Sequence, residues 1–135
     1  MDYVKLVISA QTGGYQSRLL VADLYRMYVR YTERIGANIS NVKEDGYIDD
    51  GYKEVTMTIS GDNMSELIME HGVHRSLRIP TDDDRIHQSA VLVTINDALG
   101  ADSNRVRTYN FTTGEAKDYS TKVEHDLTNM MDGNL

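Results

Sequence analysis

Hydrophobic and polar positions divide the first third of the chain cleanly. From Tyr3 to Ala10 the chain alternates, with Val4, Leu6, Ile8 and Ala10 on one side, the period of a half-buried strand. Gln11 to Gln16 holds two glycines and breaks the pattern as a tight loop. Ser17 is then placed to cap a helix, and Leu20, Leu24, Met27, Tyr31 and Ile35 recur at steps of four and three to form one apolar face. Gly36 ends that helix. Arg18, Arg26, Arg30 and Arg34 fall on the opposite face, which reads as solvated.

Further along, Ile39 to Val42 predicts a short strand, and Lys43 to Asp50 is polar and acidic enough to predict a loop. Val55, Met57 and Ile59 alternate as a better strand. Gly61-Asp62-Asn63 is turn material, with Asn63 placed to cap a short helix running to about Met69. Gly72 to Ile79 and Ile86 to Ile95 predict two strands around a loop at Pro80–Asp84. Asn96 to Asn104 predicts a loop and Arg105 to Phe111 a further strand. Val123, Leu127, Met130 and Met131 suggest a short C-terminal helix closed by Gly133. The order strand, helix, strand, strand, helix, strand suits a single α+β domain of two layers, with helices on one face of a mostly antiparallel sheet.

Composition narrows the function classes. In 135 residues there is no cysteine, so disulfides and thiolate metal sites are excluded. No apolar run approaches the ~18 residues of a membrane span, and the N-terminus lacks the pattern of a signal peptide, so cytoplasmic residence is the expectation. A net charge of −7 opposes simple nucleic-acid binding. That charge is uneven: residues 1–40 carry five basic and three acidic groups, and residues 41–135 nine and eighteen. Any RNA contact would be local and oriented.

Candidate chemistry is sparse. Thr12-Gly13-Gly14 ahead of a helix offers backbone N–H groups to an anion, but lacks the ending of a nucleotide-binding P-loop; alone it reads as a glycine turn. His71, His74 and His87, with Asp82, Asp83 and Asp84 nearby, close no ligand set, and the aspartate run reads as a solvated acidic loop. No metal and no cofactor are expected. Glu66 and Glu70 share a helical face and read as solvated; no nucleophile, base and orienting carboxylate assemble by spacing. The residues by themselves stop at an α+β domain that is not an enzyme.

Several segments taken in order carry more. Ala10-Gln11-Thr12-Gly13-Gly14, Gly51-Tyr52-Lys53-Glu54-Val55, His71-Gly72-Val73-His74-Arg75, Arg85-Ile86-His87 with Ser89, and Arg105-Val106-Arg107-Thr108-Tyr109-Asn110-Phe111 together resemble the codon-recognition domain of class I peptide chain release factors. The resemblance continues more weakly through Asp118, Leu127 and Met131-Asp132-Gly133. It implies that the family's hydrolysis domain, which would follow the Val91–Ile95 strand, is replaced by the nine residues Asn96 to Asn104, and that the N-terminal helical domain is missing. The hydrolytic Gly-Gly-Gln string occurs nowhere; the nearest, Gly13-Gly14-Tyr15-Gln16, lies in another element.

By the same resemblance, Gly13 and Gln16 hold the positions that contact the first codon base, a glutamine standing where the family has glutamate. Pro80 and Thr81 stand for a Pro-x-Thr reading tripeptide in a loop two residues shorter. Leu77 replaces a third-base glutamine, Gln88 replaces a threonine, and His87 retains the stacking histidine. Arg75, Arg78 and Arg85 form the expected basic patch, while Asp82-Asp83-Asp84 places carboxylates beside the expected phosphate path. Two functions follow. One is a non-catalytic release-factor mimic at the ribosomal decoding region of the small subunit, in contact with mRNA and competing with or modulating termination. The other is a regulatory module that binds a protein and has no ribosomal role. Neither involves a membrane or a small-molecule substrate. A compact free-standing unit of this kind suits a virus or mobile element.

Overall fold

A computed structural model describes residues 2–47, 51–62, 64–80, 83–96, 98 and 100–135. The elements are β1 (Asp2–Ala10), α1 (Tyr15–Ile35), β2 (Asn38–Tyr47), β3 (Gly51–Gly61), α2 (Ser65–Ile68), β4 (Gly72–Arg78), β5 (His87–Ile95), β6 (Arg105–Asn110), β7 (Glu115–Asp118), β8 (Glu124–Asp126) and α3 (Leu127–Met131). They build one sheet in the order β2-β3-β1-β5-β4-β6-β7-β8, antiparallel throughout except for the β4–β6 pair. The expected α+β arrangement, a mostly antiparallel sheet with α1 and α3 packed together over it, is what forms.

Alternation in β1 sets the core. Val4, Leu6 and Ile8 are buried, facing Ile59, Met57 and Val55 across β3. On the other side Leu6 and Ile8 face Ile95 and Val93 of β5. Onto this apolar patch α1 lays Leu20, Leu24, Met27, Tyr28 and Tyr31, all buried. Each such side chain contributes about 1.5–3 kcal/mol of burial free energy, so the β3-β1-β5 centre under α1 is the main source of stability.

The boundaries differ from expectation where side chains do not decide them. The helix begins at Tyr15, not after Ser17; the Ser17 hydroxyl donates to the Gly14 carbonyl inside the first turn and caps nothing. Ile35 is exposed, lying past Thr32, the last buried position of α1. Gly36 does end the helix, in the left-handed conformation at φ 71°. Of the stretch Lys43 to Asp50 expected as a loop, Lys43 to Tyr47 instead continues β2, and 48–50 lie outside the described residues. As an outermost strand whose residues 41–46 are all exposed, β2 carries no apolar alternation to read. The proposed cap at Asn63 lies outside the described residues, and α2 ends at Ile68. Strands β7 and β8 went unpredicted because they are four and three residues long and polar. Val123 precedes β8 and does not belong to α3, which is capped by the Asp126 carboxylate accepting from the Asn129 N–H at 2.9 Å.

The arginine stripe of α1 is not simply solvated. Arg30 pairs with Asp132 at 3.0 Å, and Arg34 Nε donates to the Asp132 carbonyl at 2.7 Å. Gly133 then passes so close to α1 that a Cβ would stand 2.6 Å from the Tyr31 nitrogen. The glycine that closes α3 thereby docks the C-terminus on the helix.

Register lays out a buried polar cluster between the two halves of the chain. His74 of β4, Arg107 of β6 and Asp118 of β7 occupy one row across the sheet. Arg107 forks onto both oxygens of Glu70 at 2.8 Å and reaches Asp118 at 3.2 Å. Glu70, read from sequence as solvated, is buried, and its Oε1 also accepts from the Tyr28 hydroxyl at 2.9 Å. His74 Nε2 donates to the Glu70 carbonyl at 2.7 Å, which leaves Nδ1 to accept from the Tyr109 hydroxyl at 2.8 Å. Tyr109 in turn accepts from Arg107 at 2.9 Å. Burial alone would raise the Glu70 carboxyl, but the Arg107 guanidinium holds it below its ordinary value. For His74 burial wins over the attraction of Glu70, and its pKa falls to about 4.

Candidate functional site

The β1–α1 loop and the start of β5 together make a cleft. Gln11 donates its N–H to the Ala90 carbonyl at 3.0 Å, and Ala90 donates to the Thr12 carbonyl at 2.9 Å, so the loop adds itself to β5. This presses Gly13 against Ser89: at φ 105° a Cβ would lie 2.6 Å from the serine Cβ. Only glycine fits, both for space and for backbone conformation. Two residues before Ser89, His87 opens β5 opposite Arg78, the last residue of β4. Gly13, Tyr15, Gln16, Leu19, Arg78, Ile79, Pro80 and His87 line an open cleft of about 640 Å³. Of these, Tyr15 and Ile79 are exposed apolar side chains.

Four residues singled out from sequence, Gly13, Gln16, Pro80 and His87, are thus brought together. Thr81 lies outside the described residues. Gln88 is elsewhere: side chains alternate along β5, so it stands on the sheet face away from His87, exposed and opposite Leu77 in register. The expected basic patch is not one surface. Arg75 is exposed on the sheet face opposite that of Arg78, three residues further along β4. Arg78 spans to Asp23 of α1 at 2.7 Å and stacks its guanidinium 4.0 Å above the Phe111 ring. Arg85 folds onto Asp83. Two of the three charges are therefore spent inside the protein, which leaves little for phosphate.

Sequence reasoning missed the organising role of Asp83, which was expected to be part of a solvated acidic loop. Its carboxylate accepts from the Arg85 backbone N–H at 3.0 Å, from Arg85 Nε and Nη2 at 3.3 and 3.1 Å, and from His87 Nε2 at 2.8 Å. Its own N–H donates to the Pro80 carbonyl at 3.3 Å. The hydrogen bonds from Arg85, then that from His87, hold the carboxyl well below the usual carboxylate range. The signal was legible as Asp83, Arg85 and His87 at alternate positions, an acid and two bases that a tight lip folds together.

Near the far end of β5, His71 Nδ1 accepts from the Ile95 N–H at 2.9 Å while Nε2 donates to Asp102 at 2.9 Å. Asn96 bonds back to Lys5, and Val73 donates to the Asn104 carbonyl at 2.7 Å. These contacts close the passage from β5 to β6. Among the described residues no group of three or more His, Asp or Glu side chains is placed to hold a metal ion, and no helix is long and apolar enough to cross a membrane.

What the cleft offers is a planar imidazole and a tyrosine ring for stacking, an amide, and an apolar rim. Flat rings of this kind are able to stack on another planar group.

Comparison with known proteins agrees with the frame around this cleft. The fold is similar to RF2 of Thermus thermophilus, with a TM-score of 0.85 at 18% identity, covering 98% of this chain and 65% of that one. Peptide chain release factor 1 of Lawsonia intracellularis is 40% identical over 95 residues, 68% of this chain and 26% of its own length. The corresponding protein of Ehrlichia ruminantium is 40% identical over 93 residues, 67% of this chain and 26% of its own. That of Nitratidesulfovibrio vulgaris is 40% identical over 95 residues, 68% and 27%. The chain spans about a quarter of the length of these curated relatives. The model of the PCRF domain matches residues 2–93, from β1 through most of β5 and including every described residue of the cleft. The chain belongs to the PCRF domain family, in company with the peptide chain release factors.

Proposed function

We propose that the chain acts as one codon-recognition-like unit and is a non-catalytic mimic of a release factor. It docks at the decoding region of the small ribosomal subunit through the Gly13–His87 cleft and there competes with, or modulates, termination. The observation that carries this reading is the convergence of Gly13, Gln16, Pro80 and His87 on one cleft of a termination-factor fold. Hydrolysis is left out because no Gly-Gly-Gln string occurs in the 135 residues. Action in the cytoplasm follows from a ribosomal partner.

Stacking on His87 and Tyr15 would supply about 1–3 kcal/mol per base with little sequence preference. With Arg78 and Arg85 already paired, phosphate attraction adds little. Occupancy, rather than tight stop-codon discrimination, is the expected mode. Co-sedimentation with small subunits, with and without a stop codon in the decoding site, tests it at low salt. Binding, together with slowed peptide release by a full-length release factor, is the expected result; no association under any of these conditions removes the reading.

A second reading has its own observation. The exposed Tyr15 and Ile79 beside paired cations make a surface suited to an apolar protein segment. Affinity purification from native cells separates the two, since one dominant non-ribosomal partner would favour the protein-binding module.

A further inference from the structure

We propose that Asp83 is the positioning residue of the cleft: it fixes the ring of His87 in one orientation and tautomer while its own charge is paired with Arg85. The proposal deepens the reading of the cleft as a stacking site, on which its binding arm rests; its structural arm stands apart from it.

A carboxylate accepts but does not donate. At 2.8 Å from Asp83 Oδ2, His87 Nε2 must therefore carry a proton, so the tautomer with hydrogen on Nδ1 alone is excluded. A partly exposed imidazole at the first position of a strand has two rotatable bonds to fix. The bond to Asp83 fixes them, and Asp83 is itself not free to move. Its Oδ1 takes the Arg85 N–H and Nε, its Oδ2 takes Arg85 Nη2 along with His87, and its backbone N–H is bound to Pro80. Three residues of the lip are therefore referred to one carboxylate.

Charge follows from the same contacts. An unpaired carboxylate beside the ring would repel any phosphate carried by a stacked nucleotide. Here the Arg85 guanidinium lies on it in forked geometry, and Arg85 is otherwise exposed. Asp83 thus orients His87 without presenting a bare negative charge. A ring held in advance also loses less rotational freedom on stacking, so the bond raises affinity without touching the ligand.

The test uses the intact chain. Nitrogen-15 spectra of the histidine ring are compared in wild type, Asp83→Ala, Asp83→Asn and Arg85→Ala. Wild type and Arg85→Ala should show a fixed Nε2–H for His87, Asp83→Ala a mixture of tautomers, and Asp83→Asn, whose amide oxygen still accepts, a state near wild type. An unchanged His87 signature in Asp83→Ala overturns the proposal, whatever the ribosome does. In co-sedimentation with small subunits, His87→Ala and Asp83→Ala should each weaken binding by roughly fivefold or more, with no further loss in the double variant. Full binding by Asp83→Ala where His87→Ala fails also overturns it. If the wild type does not bind small subunits, the functional reading fails while the spectra still decide the role of Asp83.

Discussion

The molecule gathers an arginine and a histidine around an acidic residue in two places, and the two sets differ in wiring as well as in burial: Glu70 takes Arg107 on its carboxylate and His74 on its backbone carbonyl, whereas the Asp83 carboxylate takes both Arg85 and His87. Glu70, Arg107 and His74 lie sealed beneath the sheet, with Arg107 only 3% exposed. Asp83, Arg85 and His87 sit at the lip of the cleft, with the Arg85 side chain 81% exposed. Water competes for every bond in the second set and for none in the first. The buried set holds the β6–β7 half against the rest of the chain, and its loss would leave charges stranded. The exposed set stabilises little and is free to be specialised for orientation.

Breaking the buried set is the severest way to test the contrast. Arg107→Met leaves Glu70 without its counter-ion and should destabilise the fold by about 3–5 kcal/mol, read from urea unfolding. A loss no greater than that of a surface substitution would mean the cluster opens to water. Replacing Glu70 and Arg107 together by apolar residues should recover part of the stability, since no lone charge then remains.

Acid is a gentler probe of the same cluster. The unfolded chain protonates His74 near pH 6.5, whereas the folded chain resists until about pH 4. The unfolded state therefore binds the extra proton first, and stability falls as pH drops through that window, by about 3 kcal/mol from this group. Glu70 acts in the same sense at lower pH, because its depressed pKa gives stability that is lost on protonation. Unfolding followed between pH 7 and pH 4 should show this slope, and His74→Gln should flatten it.

Gly13 belongs to the wall of the cleft. Gly13→Ala forces a Cβ onto Ser89 at a positive φ and should cost about 2 kcal/mol, with the cleft distorted as well. A stable Gly13→Ala that still binds small subunits would show that the loop can move off β5. At the bottom of the scale, Asp83→Ala should leave the urea midpoint unchanged while altering the His87 ring. That dissociation of stability from orientation is the sharpest form of the contrast.

The sequence made these regions legible to different degrees. Alternation in Val4-Leu6-Ile8 and Val55-Met57-Ile59 placed the central strands correctly, because residues buried on one face must repeat with the pleat. The four cleft residues were found through resemblance, and distance along the chain was no obstacle to it. The Glu70–Arg107 pair was invisible, since an acid and a base 37 positions apart in the chain carry no periodic mark, and the helical spacing of Glu66 and Glu70 alone suggests a solvated glutamate. Gln88 and Arg75 fall outside the cleft for a simpler reason: a difference of one or three positions in a strand puts a side chain on the other face. Lys43–Tyr47 failed as a strand because an outer strand wetted on both sides has no pattern to display.

That same outer strand carries two breaks in register, at Ser40/Lys43 and Asp45/Gly46, with Asn41 turned to φ 53°. A smooth ten-residue border would invite a neighbouring molecule to extend the sheet, and crowded copies to zip into fibres. The kinked, charged border of β2 offers no such template, so this side of the sheet is guarded against sticking to its own kind.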